Sequence, residues 1–137
     1  MTRYSSFSEA DTEQIAAGLA QNARAGDIIC LSGGLGMGKT VFARGFARAL
    51  GYKQDITSPT FTLLIIYRGG KLPLYHFDLY RLDNPEAELE GIGYEDYFFA
   101  QGVCIIEWAE KARRLIPDGA LWVAIASSGN EREIVLS

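Results

Sequence analysis

Four glycines fall within six positions, at 33, 34, 36 and 38, and Lys39 and Thr40 follow at once. The stretch Gly33-Gly34-Leu35-Gly36-Met37-Gly38-Lys39-Thr40 fits G-x-x-x-x-G-K-[ST], the P-loop pattern. Average composition makes a chance match in a chain of this length an event of about half a percent. The pattern also demands a particular setting, a strand before it and a helix after it. Ile28 to Leu31 is a short continuous apolar run, as a strand buried on both faces requires. Beyond the loop, Val41, Phe42, Phe46 and Leu50 recur at helical spacing from Lys39 to Leu50, and Gly51 ends the run. Glycines let the backbone wrap a triphosphate closely, with amide N–H groups turned inward and the helix N-terminus adding positive potential. Lys39 is then expected on the β- and γ-phosphates, and the Thr40 hydroxyl on Mg²⁺.

The rest of the chain alternates helices with buried strands. Ser8 to Ala23 predicts a helix, capped by Ser8 with Asp11 or by Asp11 with Gln14. Gln54 to Thr60 reads as a loop, and Phe61–Tyr67 and Leu72–Asp78 as a hairpin turned at Gly69-Gly70. Asn84-Pro85-Glu86 is a helix start, and a second short helix is expected from Tyr94 to Ala100. Val103 to Ile106 is another apolar strand, ending at Glu107, with Trp108 to Leu115 helical after it. Leu121–Ala126 and Ile134–Leu136 close the chain as two strands joined at Ser128-Gly129-Asn130. These elements predict an α/β fold: a P-loop NTPase-like, mixed but mostly parallel sheet flanked by helices, with an antiparallel hairpin. With 137 residues, the chain is expected to form one domain over 1–137.

Two further constellations carry chemistry. A P-loop needs an acid at the tip of a neighbouring apolar strand, and Glu107 is the candidate metal-side carboxylate. On a strand, His76 and Asp78 share one face while Tyr75, Phe77 and Leu79 share the other. Asp78 is the candidate for orienting the attacking water or a Mg²⁺-bound water. His76 alone reads as an ordinary hydrogen-bonded core histidine. Ser58-Pro59-Thr60-Phe61-Thr62 is by its chemistry a polar turn, although it lies where many P-loop enzymes carry a γ-phosphate-sensing loop.

Composition removes other classes. Apolar residues make up 48% and charged residues 22%, which argues against disorder. The longest apolar stretches are about six residues, against the roughly twenty a bilayer span needs, so a soluble cytoplasmic protein without membrane contact is expected. Thirteen basic residues against seventeen acidic ones leave a net charge of −4, with Arg113-Arg114 the only adjacent basic pair. Such a chain has no evident basic face for gripping a polynucleotide. Cys30 and Cys104 sit inside apolar runs with no C-x-x-C spacing and read as buried, reduced thiols.

Four blocks together resemble the bacterial TsaE (YjeE) family: Gly33 to Thr40, Ser58-Pro59-Thr60-Phe61-Thr62-Leu63, His76-Phe77-Asp78-Leu79-Tyr80-Arg81-Leu82, and Ile106-Glu107-Trp108. The resemblance implies a Mg²⁺-dependent ATPase that works with the proteins TsaB and TsaD. Those partners form N6-threonylcarbamoyladenosine at position 37 of tRNAs reading codons that begin with A. TsaD carries the transfer, and tRNA meets the ATPase only indirectly. The same resemblance implies that Lys39 and Thr40 bind ATP and Mg²⁺, that Glu107 is the metal-side acid, and that Asp78 is required for hydrolysis. It puts Thr60 in a switch-like loop and associates Glu9, Thr12 and Arg132 with the nucleotide. The chain departs from the family's common G-D-L-G-A-G-K-T at Gly34 and Met37, and Ala109 follows the tryptophan where proline is frequent. Arg81, or an arginine from a partner, is the candidate arginine finger. Slow turnover alone and stimulation by the partners are expected. Two other readings fit the P-loop: a small-molecule kinase with Arg113-Arg114 in a lid, and a binding module whose interface ATP orders.

Overall fold

The computed structural model of the chain describes residues 1–34 and 36–137. In chain order the elements are β1 (Thr2–Ser6), α1 (Glu9–Gln21), β2 (Ile28–Ser32), α2 (Lys39–Ala49), β3 (Leu64–Tyr67) and β4 (Leu74–Asp78). They continue as α3 (Pro85–Gly91), α4 (Glu95–Phe98), β5 (Val103–Glu107), a 3₁₀ segment (Ala109–Leu115), β6 (Leu121–Ser128) and β7 (Glu131–Leu136). Among the described residues the strands form one seven-stranded sheet in the order β1-β7-β6-β2-β5-β4-β3. The middle of the sheet, β6-β2-β5-β4, is parallel, and the outer pairs β1/β7, β7/β6 and β3/β4 are antiparallel. The expected mixed, mostly parallel sheet is therefore present, with a second antiparallel edge.

Side chains alternate across the sheet and build two cores. Ile29 and Leu31 of β2, Val103 and Ile105 of β5, and Val123 and Ile125 of β6 face α1 and α2, where Phe42 and Phe46 fill the layer. Ile28 and Cys30, with Cys104, Ile106, Tyr75 and Phe77, face the opposite layer, closed by Leu89, Phe98 and the 3₁₀ segment. A parallel strand covered on both sides has no polar face, which is why β2 and β5 read as unbroken apolar runs. Burying each large apolar side chain stabilises the fold by about 1.5–3 kcal/mol relative to exposure.

Local signals mostly held. The Ser8 side chain caps α1 by accepting from the Asp11 N–H, and the Asp11 carboxylate accepts from the Phe7 N–H. A two-residue turn, Gly129-Asn130, joins β6 to β7, with Gly129 at φ 66° as a tight hairpin demands. β6 runs on to Ser128 and β7 starts at Glu131 rather than Ile134, because the polar residues Glu131–Glu133 also pair in the antiparallel ladder. Three other expectations differ from the structure. β1 was unforeseen: Thr2–Ser6 is polar and mostly exposed, so no apolar alternation announces it, and it is held as an edge partner of β7 and by the Ser6 hydroxyl against Thr12 of α1. The hairpin strand starts at Leu64 rather than Phe61, because the Pro59 carbonyl accepts from the N–H groups of Thr62 and Leu63 and turns the chain. After Trp108 the chain is a 3₁₀ segment kinked at Ala112, not a regular helix.

Candidate functional site

The parallel strands end together. Asp78 closes β4 and Glu107 closes β5, and the two are direct neighbours in register, while Leu31 of β2 pairs with Glu107 on its other side. In open α/β sheets ligands bind at this edge, where crossover loops leave the carboxyl ends of the strands. The P-loop leaves β2 here and α2 begins at Lys39. A cavity of about 480 Å³ opens above the strand ends, walled by Gly36–Thr40, Asp78, Glu107 and Trp108. Its far wall is made by Ser6–Glu9 and Thr12 with Asn130 and Arg132.

Close packing fixes the loop. A Cβ on Gly33, whose φ is 142°, would come within 2.4 Å of the Ile125 carbonyl oxygen of β6. Gly38, in the left-handed region, starts α2. Met37 packs partly against the α1/α2 core beneath the loop while lining the cavity, so this departure from the common family motif is absorbed by apolar contact. Leu35, expected among the phosphate-binding residues, lies outside the described residues.

Lys39 is buried, and its ammonium donates to the carbonyls of Gly33 at 2.6 Å and Gly34 at 2.7 Å. The ring of Trp108 covers it at 4.1 Å. Burial pushes the Lys39 ammonium below its ordinary pKa, against the opposing pull of Glu107, Glu110 and Asp78. Trp108 reaches this place from a left-handed backbone conformation, φ 60°, and packs its ring on Tyr80 with centroids 5.0 Å apart. A bulky residue rarely takes that conformation, and it persists only where the surroundings impose it.

The two strand-end carboxylates are held differently. Glu107 bridges two side chains: Oε1 accepts from the Thr40 hydroxyl at 3.2 Å, and Oε2 lies 2.6 Å from His76 Nε2. Asp78 is tied to the loop before β3. Its Oδ2 accepts from the hydroxyls of Ser58 and, at 2.8 Å, Thr60; its Oδ1 accepts from the Tyr80 N–H at 2.9 Å. Leu63, at φ 70°, takes the Asp78 N–H on its carbonyl and so fastens the same loop to the strand end.

The structure thus brings Gly36, Met37, Gly38, Lys39, Thr40, Asp78 and Glu107 together, with Glu9, Thr12 and Arg132 on the same cavity. Gly33 and Gly34 meet Lys39 through their carbonyls. Thr12 is buried and its hydroxyl lies 2.6 Å from that of Ser6, while Glu9 pairs with Arg44 of α2 at 3.1 Å. Arg81 stands over the exposed ring of Phe61, 4.0 Å from its centroid. Arg113 lies over Trp122 and Arg114 pairs with Glu86, so neither forms a lid over this cavity. His76 is in the core as expected, but its bond goes to a site carboxylate. Ser58 and Trp108 stood in the motifs singled out from the sequence, but their contacts to Asp78 and Lys39 were not foreseen. The missed signal for His76 was its position: Leu74, His76 and Asp78 project from β4 to the same side of the sheet as Val103, Ile105 and Glu107 from β5.

The oxygen donors of Thr40 and Glu107 suit a hard cation such as Mg²⁺. No group of three metal-ligating His, Cys, Asp or Glu side chains occurs among the described residues. Mg²⁺ does not need one, because it retains waters and binds substrate phosphates. Sheet order, glycine loop and strand-end acids define a P-loop NTPase-like protein. Residues 6–134 match the family described as threonylcarbamoyl adenosine biosynthesis protein TsaE. The chain is similar to the tRNA threonylcarbamoyladenosine biosynthesis protein TsaE of Bacillus subtilis, 44% identical over 128 residues, covering 93% of this chain and 79% of that one. The Treponema pallidum protein of the same name is 41% identical over 114 residues, 82% of each chain. The crystal structure of Bacillus subtilis YdiB superposes with a TM-score of 0.86 at 36% identity, covering 98% of this chain and 83% of that one. The chain belongs to the TsaE family of P-loop ATPases involved in threonylcarbamoyladenosine biosynthesis. No helix among the described residues is long and apolar enough to cross a membrane.

Proposed function

We propose that this chain, acting in the cytoplasm as one domain, binds ATP with Mg²⁺ and hydrolyses it. It does so as the ATPase component of the machinery that makes N6-threonylcarbamoyladenosine in tRNA, beside TsaB and TsaD. The observation that carries the reading is the convergence of Lys39, Thr40, Asp78 and Glu107 on one cavity at the strand ends. In this reading the loop from Gly33 to Thr40 cradles the phosphates, and Lys39 exchanges the Gly33 and Gly34 carbonyls for β- and γ-phosphate oxygens. Thr40 and Glu107 hold the metal side, where Mg²⁺ supplies electrostatic stabilisation of the charge on the transferring phosphoryl group. Asp78 takes the proton side of the attack, orienting water once the Ser58–Thr60 loop loosens its grip on Oδ2. Glu9, Thr12 and Arg132, on the far wall, contact the rest of the nucleotide. The threonylcarbamoyl transfer itself belongs to TsaD.

The test is ATP hydrolysis with Mg²⁺ by the purified chain, alone and with TsaB and TsaD, with Lys39→Ala as control. A slow basal rate, raised by the partners and lost in the variant, is the expected result. Wild-type nucleotide binding and turnover in Lys39→Ala would sink the P-loop assignment. A rate indifferent to the partners would reduce the protein to a nucleotide binder.

The two hydrogen bonds that Ser58 and Thr60 donate to Asp78 favour one alternative, in which ATP orders the Ser58–Thr60 loop as an interface and hydrolysis is incidental. Asp78→Asn separates the two. If the variant binds ATP normally and still supports tRNA modification, hydrolysis is dispensable and ordering is the function; if modification stops while ATP still protects the Ser58–Thr60 loop from proteolysis as in the wild type, hydrolysis is.

A further inference from the structure

His76 is 1% exposed in the middle of β4, flanked in register by Ile65 and Ile105. Both register neighbours are apolar. An imidazole there is expensive, because among the described residues Nδ1 has no hydrogen-bond partner. A buried polar nitrogen left unpaired works against folding. What the ring provides in return is its other nitrogen, 2.6 Å from Glu107 Oε2. A carboxylate that serves a metal only accepts, and in that role of Glu107 the bond requires the proton on Nε2.

Glu107 is equally buried, and its two oxygens are divided between two partners. Oε2 is taken by His76 and Oε1 faces the Thr40 hydroxyl at the cavity. The carboxylate lies at the end of a strand with a rotatable side chain, and the Thr40 bond at 3.2 Å is the weaker of the two constraints. Freed from His76, the carboxylate would be able to turn toward the ammonium of Lys39 or to present either oxygen.

We propose that His76 is a positioning residue for the metal side of the site: its Nε2–H anchors Glu107 Oε2 and thereby commits Oε1 to the Thr40 side. The inference rests on the reading of Glu107 as the metal-side acid. Partners of this kind, one bond behind a metal-side carboxylate, alter metal affinity by about 10–100-fold when removed. Glutamine can place an amide N–H near the position of Nε2; leucine cannot.

The experiment measures Mn²⁺ affinity by electron paramagnetic resonance in the presence of nucleotide, and nucleotide affinity in EDTA, for wild type, His76→Leu, His76→Gln and Glu107→Ala. Thermal melts record folding. The expected pattern is Mn²⁺ binding weakened at least tenfold in His76→Leu and largely restored in His76→Gln, with metal-free nucleotide affinity unchanged in both. Unaltered Mn²⁺ affinity in His76→Leu, with Glu107→Ala impaired, would overturn the role of His76 alone. If Glu107→Ala is also unaltered, the metal-side reading of Glu107 fails as well. If metal and metal-free nucleotide affinity fall together and glutamine is no better than leucine, His76 serves only the fold and the proposal is wrong.

Discussion

Cys30 and Cys104 project into the core layer that also holds Phe77 and Phe98, one from β2 and one from β5. Burial pushes both thiols up to about 12, from an ordinary value of 9.0. A raised value means that the folded state holds its proton where the unfolded state releases it. The stability tied to these thiols is therefore complete below about pH 9 and is lost as pH rises toward 12. Thiol reagents at pH 8 are expected to label neither cysteine in the folded protein and both in guanidinium. Rapid labelling of the native protein would show that the β2–β5 seam opens. The same sequence context that marked these cysteines as buried, an apolar residue on each side, also hid the partner of His76. Side-chain type predicts burial well, but it does not say which carboxylate a buried ring will meet.

At the scale of elements, α1 and α2 cross so closely that Gly45 is required. A Cβ there would lie 2.5 Å from Glu13 Cα and 2.6 Å from the Glu13 carbonyl oxygen, both backbone atoms that cannot rotate away. Arg44 and Arg48 pair with Glu13 across the same contact, at 3.1 and 3.0 Å. Gly45→Val is expected to cost about 1–3 kcal/mol in urea unfolding, and to shift α1 away from the cavity whose wall its first turn forms. Gly18, in the same helix α1, has nothing within 4 Å of where a Cβ would stand. Gly18→Ala is expected to stabilise the protein by about 0.5–1 kcal/mol through helix propensity alone. Two glycines in neighbouring helices thus predict opposite signs. Both substitutions proving neutral would mean that the α1/α2 packing gives way more readily than its geometry implies. The sequence marks both positions only as glycine in a helix, a local irregularity without a sign.

For the whole molecule, charge decides what the chain can do by itself. A net charge of −4 with dispersed cations leaves little to displace counterions from tRNA phosphates. Bare tRNA is expected to change nucleotide affinity less than twofold at about 0.1 M salt. A large effect that fades steeply with salt would restore direct RNA binding. The exposed aromatic Phe61 beside Arg81, and Tyr80 at the cavity mouth, belong to the same end of the molecule as the strand-end acids.

Much of this architecture was legible beforehand because it depends on local chemistry. Continuous apolar runs meant strands covered on both faces, and the glycine stretch fell where expected, between such a strand and a helix. Acids at the strand ends, Asp78 and Glu107, followed from where those runs stopped. Strand β1 was not legible, since a polar edge strand gains its stability from the neighbour it pairs with. Nor were the Ser58–Asp78 and His76–Glu107 bonds, or the left-handed turn that lays Trp108 over Lys39. Residue type and period determine which element forms and which face it buries, both short-range properties of the chain. Which polar groups meet across the sheet depends on strand order and register, and these arise only when segments distant in sequence pack together.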